Sequence, residues 1–393
     1  MLFRPSSARI DRYALKQFSF KKLMFSHPTY ADFQHTLISE DGKMKKSIAA
    51  LAVASTLCGW AHAQSAVNIY GIVDMGYVNE SGGAAGSVGK ITSGAQSGTR
   101  IGFKGTEDLG NGNKALFVLE TSVRADQGGF NQGGTAFGRQ TFVGLQGDAG
   151  TLTLGRQYTP YFLAMNAADP FASGMAGSAL NLFPNAGNGN RMNNSIKYAS
   201  PNIDGFTGEL AYGFGEVQGS SDKSRQIGAS LGYTADAVSI KLAHHNARNA
   251  TDSDTAKNTI LGVTWDVEVA KIFAAISENR GIASSAFPNT ENPYGLAPAP
   301  VASSKTRDFL IGARIPFEKH AFLISYISKD DRVANNDANQ FGLGYTYALS
   351  KQTNLYAAYA RIDNKNRASY TVGNNSETGS GDKAINLGVR VIF

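Results

Sequence analysis

From residue 67 to residue 393 the chain breaks into short segments in which apolar and polar side chains alternate, and 16 such segments can be read. The stretch 384–393, AINLGVRVIF, shows the pattern in its simplest form. Leu387, Val389, Val391 and Phe393 fall on one face, and Asn386, Gly388 and Arg390 on the other. A strand turns its side chain over at every residue. About ten tilted residues are enough to cross the hydrocarbon of a bilayer. An even number of such strands, apolar outside and polar inside, predicts an all-β, 16-stranded antiparallel transmembrane β-barrel around a water-filled lumen.

The connections support the same reading. Short ones at 107–112, 148–150, 200–205, 235–236, 266–268, 316–319 and 349–351 carry the Gly, Asn, Asp, Pro and Ser of tight turns. Long polar ones are expected at 79–93, 124–138, 158–190, 216–224, 246–257, 279–303, 330–338 and 364–382. Short and long alternate, as periplasmic turns and external loops do in membrane barrels. The third long connection, 158–190, is the longest and holds Asp169, Pro170 and Pro184. It also carries Phe162, Leu163, Phe171, Leu180 and Phe183, too apolar for full exposure. A structureless loop of this length is usually functional. Folded inward, it would narrow a wide lumen to a small-solute sieve.

Residues 44–63, MKKSIAALAVASTLCGWAHA, have the layout of a secretory signal: Lys45 and Lys46, a short apolar run, then Ala61-His62-Ala63. Residues 1–43 precede it and are expected to be an upstream extension outside the native protein, so 64–393 would be the barrel domain. The one cysteine, Cys58, lies in the signal, with Leu57 where a lipidation site needs a small residue. No thiolate chemistry is therefore expected in the exported part. The formal charge of +6 is carried largely by residues 1–63, whose 9 Lys/Arg and 4 Asp/Glu leave 28 basic and 27 acidic residues beyond them. That balance does not support a nucleic-acid partner. No apolar run of about 20 residues suggests a spanning helix.

Alternation also assigns inward faces. Arg100 and Lys104 oppose Ile101 and Phe103, Glu120 opposes Leu119, and Arg139 shares a face with Thr141. Met192, Ile196 and Tyr198 are expected outward, which puts Arg191, Asn193, Ser195 and Lys197 inward. Lys241, Lys271, Arg314 and Arg390 also fall inward, against fewer acids: Asp74, Glu120 and Glu209. The lumen is thus biased positive. Leu323 and Ile327 fit poorly, being apolar on the inward face of a strand whose Phe322, Ile324 and Tyr326 already point out.

The chain resembles a Gram-negative general porin of the neisserial/β-proteobacterial type. The resemblance rests on VNIYGIVDMG at 67–76, SGTRIGFKGTEDLGNGNKALFVLET at 97–121 and GRQTFVGLQGDAGTLTLGRQYTP at 138–160. RMNNSIKYASPNIDGFTGELAYGFGE at 191–216, LGYTYALSKQTNLYAAYA at 343–360 and Phe393 complete it. It implies a homotrimer in the cell outer membrane, in contact with lipid and lipopolysaccharide, with the third external loop in the lumen. It further implies that Arg100, Arg139 and Arg191 match a basic constriction cluster, with Glu120 beside them. Asp169 is the candidate, by position, for a facing acid from the loop, and Lys104, Lys197 and Glu209 add lumen charge. Arg156, in a family-like GRQ, shares parity with Leu152 and Leu154 and is placed at the rim.

Guanidinium groups stay charged at any working pH. Lined up in a narrow aqueous neck, they favour anions and disfavour cations, provided binding is weak enough for the solute to leave. The expected function is passive diffusion of inorganic ions and small hydrophilic solutes, weakly anion-selective. A substrate-specific outer-membrane channel is the alternative, and a barrel acting as adhesin or anchor the third reading. Enzymatic chemistry is not expected. Only His244, His245 and His320 remain beyond the signal. No HExxH, CxxC, P-loop or dinucleotide motif occurs, so no catalytic residue, cofactor or metal ligand is assigned.

Overall fold

The computed structural model describes residues 66–184, 190–285 and 292–393. The extension at 1–43 and the signal at 44–63 lie outside the described residues. The first three staves are β1 (Ala66–Gly83), β2 in two pieces (Gly86–Ser93 and Arg100–Gly110) and β3 (Asn113–Arg124). Next come β4 (Gln140–Gly147), β5 (Gly150–Tyr158), β6 (Arg191–Ala199), β7 (Phe206–Gly213) and β8 (Gln226–Ala235). Then follow β9 (Val238–Arg248), β10 (Thr255–Asp266), β11 (Lys271–Arg280) and β12 (Lys305–Phe317). The wall ends with β13 (His320–Asp331), β14 (Ala338–Ala348), β15 (Thr353–Asn364) and β16 (Lys383–Ile392). Each stave pairs antiparallel with its sequence neighbours, and β1 pairs with β16 from Ile72↔Ile392 to Ser81↔Lys383. The result is the expected closed 16-stranded antiparallel barrel.

Exposed large apolar side chains mark the outer face: Leu210 is 64% exposed and Leu231 57%, with Trp265, Phe322, Phe341 and Leu387 similar. In water such a belt would be an aggregation surface; in hydrocarbon it is the correct solvent. Directly paired residues share a face, so the register carries this assignment around the wall. Lys104 pairs with Val118, Gly102 with Glu120, Thr153 with Lys197, and Lys271 with Arg314, all on the opposite, inner face.

Two expectations fail locally. The long connection at 79–93 is mostly strand. β1 and the upper piece of β2 form a hairpin with pairs from Met75↔Ser93 to Gly83↔Gly86. Polar sequence hid it, because a hairpin beyond the lipid needs no apolar face; Lys90 Nζ lies 2.9 Å from Glu80 Oε1 across it. Near the start of β6, Met192 is fully buried rather than outward. Asn194 has φ +48° and the β5–β6 register shifts between Gly155 and Gln157. An extra residue in one strand reverses the faces beyond it.

The segment of residues 159–184, after β5, is shaped by local chemistry. Its helix α1 (Pro160–Ala167) has Pro at its start, and the Thr159 side chain accepts from Phe162 N at 3.1 Å. α1 packs against β8, β9 and β10. A side chain at Gly228 would meet Pro160, at Gly262 Ala168, at Gly312 Pro170, and at Gly344 Phe171. The glycines, one on every second strand from β8 to β14, give the segment a flat track. Phe171, Leu180 and Phe183 join Leu310, Leu323 and Ile327 in one buried apolar cluster. That cluster explains the two inward apolar residues of β13 that strand alternation could not. Beside it, toward the long connections, Lys329 Nζ donates to Asp308 Oδ1 at 2.6 Å, with both side chains 0% exposed. Asn279 and Thr306 satisfy further polar atoms of this pair.

Candidate functional site

Four staves bring the basic residues together. Arg100 opens the lower piece of β2, Glu120 lies in β3, Arg139 directly precedes β4, and Arg191 opens β6. Arg139 Nε donates to Glu120 Oε1 at 2.5 Å, and Arg100 Nη1 stands 3.9 Å from the same oxygen. The Tyr70 hydroxyl donates to Glu120 Oε2 at 3.0 Å. Arg139 Nη2 and Arg191 Nη2 each donate to the Tyr158 hydroxyl at 2.8 Å. The Arg191 guanidinium lies over the Tyr158 ring, 4.4 Å from its centre, and that ring stacks on Phe162 at 5.0 Å. Two guanidiniums thus share one carboxylate, and a third joins them through Tyr158. A cluster so composed keeps a positive surplus that an acid-rich wall would cancel, and cation–π contact holds Arg191 without spending its charge.

Alternation did not place all of these correctly. Arg139 lies outside the regular strand, so its side chain is free to turn toward Glu120 although Thr141 pairs with outward Leu119. Arg191 reaches the cluster through Tyr158, at a strand end where the bulge has already broken the parity. Arg156 donates through Nε to the Gly138 carbonyl at 2.7 Å and through Nη1 to Asn193. Tyr70 and Tyr158 were missed by sequence reasoning. Tyr70 pairs with Gly102 on the face of Glu120, a signal available from alternation. Tyr158, last in its strand, offered none.

Asp169 is a correction. It does not face the arginines. Its carboxylate is buried and accepts from Phe171 N, Ser173 N and Ala179 N, each at 2.9 Å. Ala172, Ser173 and Met175, all with φ near +50°, follow it. Such left-handed backbone in non-glycine residues needs external support. Asp169 supplies it by gathering three N–H groups of its own segment.

The remaining inner charges form a tier nearer the short turns. Glu209 Oε1 is 3.6 Å from Lys197 Nζ, and Glu209 Oε2 accepts from Lys241 at 3.1 Å. Lys104 Nζ lies 5.2 Å from the centre of the Tyr70 ring. Arg390 Nε donates to Asn354 at 2.9 Å, and Asp74 accepts from Tyr356 at 2.6 Å. His245 is buried against Gln226 while His244 contacts Thr259, so the adjacent histidines point apart.

Comparison with known proteins agrees with this architecture. A family model described as Gram-negative porin matches residues 49–367. Outer membrane porin protein 32 of Delftia acidovorans is 32% identical over 89% of the chain and 100% of its own length. An outer membrane porin protein of Bordetella pertussis is 29% identical, over 81% of the chain and 94% of its own length. Among solved structures, an anion-selective porin from Comamonas acidovorans superposes with a TM-score of 0.72 at 28% identity, covering 84% of this chain and 100% of that one.

Proposed function

The chain belongs to the Gram-negative porin family, and on that premise we propose that it is a passive, weakly anion-selective diffusion channel of the outer membrane. Ions and small hydrophilic solutes cross its lumen down their gradients. The observation that carries the selectivity is the sharing of Glu120 by Arg100 and Arg139, with Arg191 joined through Tyr158. Fixed positive charge lining a narrow aqueous neck favours anions. Lys104, Lys197 and Lys241 extend the positive field toward the short turns, moderated by Glu209.

In this reading the segment 158–190 lies in the lumen and sets its width. Support comes from the glycine track under Pro160, Ala168, Pro170 and Phe171, and from the burial of Leu310, Leu323 and Ile327 beneath it. Family membership argues for a homotrimer seated in lipid and lipopolysaccharide. The signal 44–63 would direct export, and its cleavage would leave 64–393 as the barrel domain; N-terminal sequencing of purified protein reads this directly.

Reversal potentials in a salt gradient test the channel. The wild type is expected to give large, linear currents with a potential on the anion side. Arg100, with a side chain 21% exposed beside the buried Glu120, is the variant of choice. Arg100→Glu should move the potential toward cations. An unchanged potential would remove the cluster from selectivity, and a protein without stable conductance would end the channel reading.

A further inference from the structure

A second patch of apolar side chains lies on the inner face, and no element among the described residues closes over it. Leu116 and Val118 in β3 and Phe142 in β4 share the face of Lys104 and Glu120, with Val118 paired to both Lys104 and Phe142. All three are only half-buried. They belong to a niche of about 530 Å³, near the short-turn end, whose walls include Lys104 and Lys197. The volume falls in the range of small-molecule sites, which combine apolar walls with few, placed polar groups.

Neither structure nor lipid explains these residues. The buried cluster that absorbs Leu310, Leu323 and Ile327 does not include them. The register turns them away from the outer face. An apolar wall facing water is costly unless something transiently covers it. The charge beside it indicates what. Lys104 has no ion-pair partner among the described residues and meets only the Tyr70 ring. Lys197 is held by Glu209 at a loose 3.6 Å.

We propose that this niche is a low-affinity way-station for small aromatic monocarboxylates. The ring would rest on Phe142, Leu116 and Val118, and the carboxylate would face Lys104 and Lys197. The proposal rests on the channel reading above and deepens it by naming a solute class. A simple anion gains only the charge, and a neutral aromatic only the wall. A solute with both is retained, weakly enough to move on, as conduction requires.

Two measurements test it. In detergent, the ¹⁹F line of 4-fluorophenylacetate should broaden with added protein, and neither fluoroacetate nor 4-fluorobenzyl alcohol should match it. Lys104→Gln and Phe142→Asn should each weaken this binding by about tenfold, the size of one lost charged or apolar contact. Equal broadening in wild type and both variants, or none in wild type, would overturn the niche. In planar bilayers, phenylacetate added on the short-turn side should lower the mean current and add noise, where acetate at the same concentration does not. Normal potassium chloride currents with no phenylacetate effect would sink the niche alone. Absent currents would sink the channel reading, while the ¹⁹F titration still decides the niche. Stable channel openings in potassium chloride from both variants, whatever their conductance or ion preference, show that they have folded.

Discussion

Two apolar regions of the inner wall, among the described residues, are treated differently. Across β12 and β13, Leu310, Leu323 and Ile327 are sealed under Phe171, Leu180 and Phe183, beside a buried Asp308–Lys329 pair. Across β3 and β4, Leu116, Val118 and Phe142 stand half-open beside Lys104, a short distance along the wall from the arginines. Lying on the inside of a barrel is therefore not enough to fix a residue's chemistry. The first patch is core and is expected to answer to stability; the second is wall and is expected to answer to solute.

The sharpest way to break this contrast is Lys329→Met. It strands Asp308 without its partner at 0% exposure, which should cost about 3–5 kcal/mol. Thermal melts in detergent should show a large drop, and adding Asp308→Leu should recover most of it, since an apolar pair can replace a buried ionic one. A single variant as stable as wild type would mean that the covered region is not core. Next in size is Asp169→Ala, which removes the acceptor of three N–H groups at 2.9 Å and should loosen its segment by about 2–3 kcal/mol. Single-channel conductance should rise and become noisier; an unaltered trace would show that 158–190 does not set the width.

Salt separates the regions more gently. Screening lengths shorten from about 10 Å at 0.1 M to about 3 Å at 1 M. Anion preference measured by reversal potential should shrink over that range, while the melting temperature of the sealed region should scarcely move. The smallest effect is reserved for an exposed pair. Arg307→Gln breaks the contact with Glu278, whose partners are 48% and 42% exposed, and should change stability by less than about 1 kcal/mol. A larger loss would show that surface ion pairs do more for this barrel than their solvation allows.

Much of the barrel could be read from the amino acids because a strand in lipid must alternate. Leu387, Val389 and Val391 are outward and exposed as the period predicted, and Arg390 pairs inward with Asp74. Legibility failed where lipid stopped imposing the rule. The 79–93 hairpin stands on polar residues, Met192 sits beyond a bulge set by Asn194, and Leu323 answers to a segment far away in sequence. At the site, Arg100 and Glu120 were found by parity. The part of Asp169 was not, since a carboxylate's hydrogen-bond partners depend on a loop conformation that carries no period. Tyr158 was invisible for the same reason.

The pairing of Asp74 with Arg390 has a kinetic consequence. Hydrogen bonds along that line join the two ends of the strand order, so their formation waits on the most distant encounter the chain has to make. Loop-closure entropy and high contact order make such an encounter slow. Until it happens, β1 and β16 both expose unpaired N–H and C=O groups, which are templates for joining another molecule. The time from export to ring closure is thus when this polypeptide is most open to aggregation, and a helper that shields raw strand edges would act there.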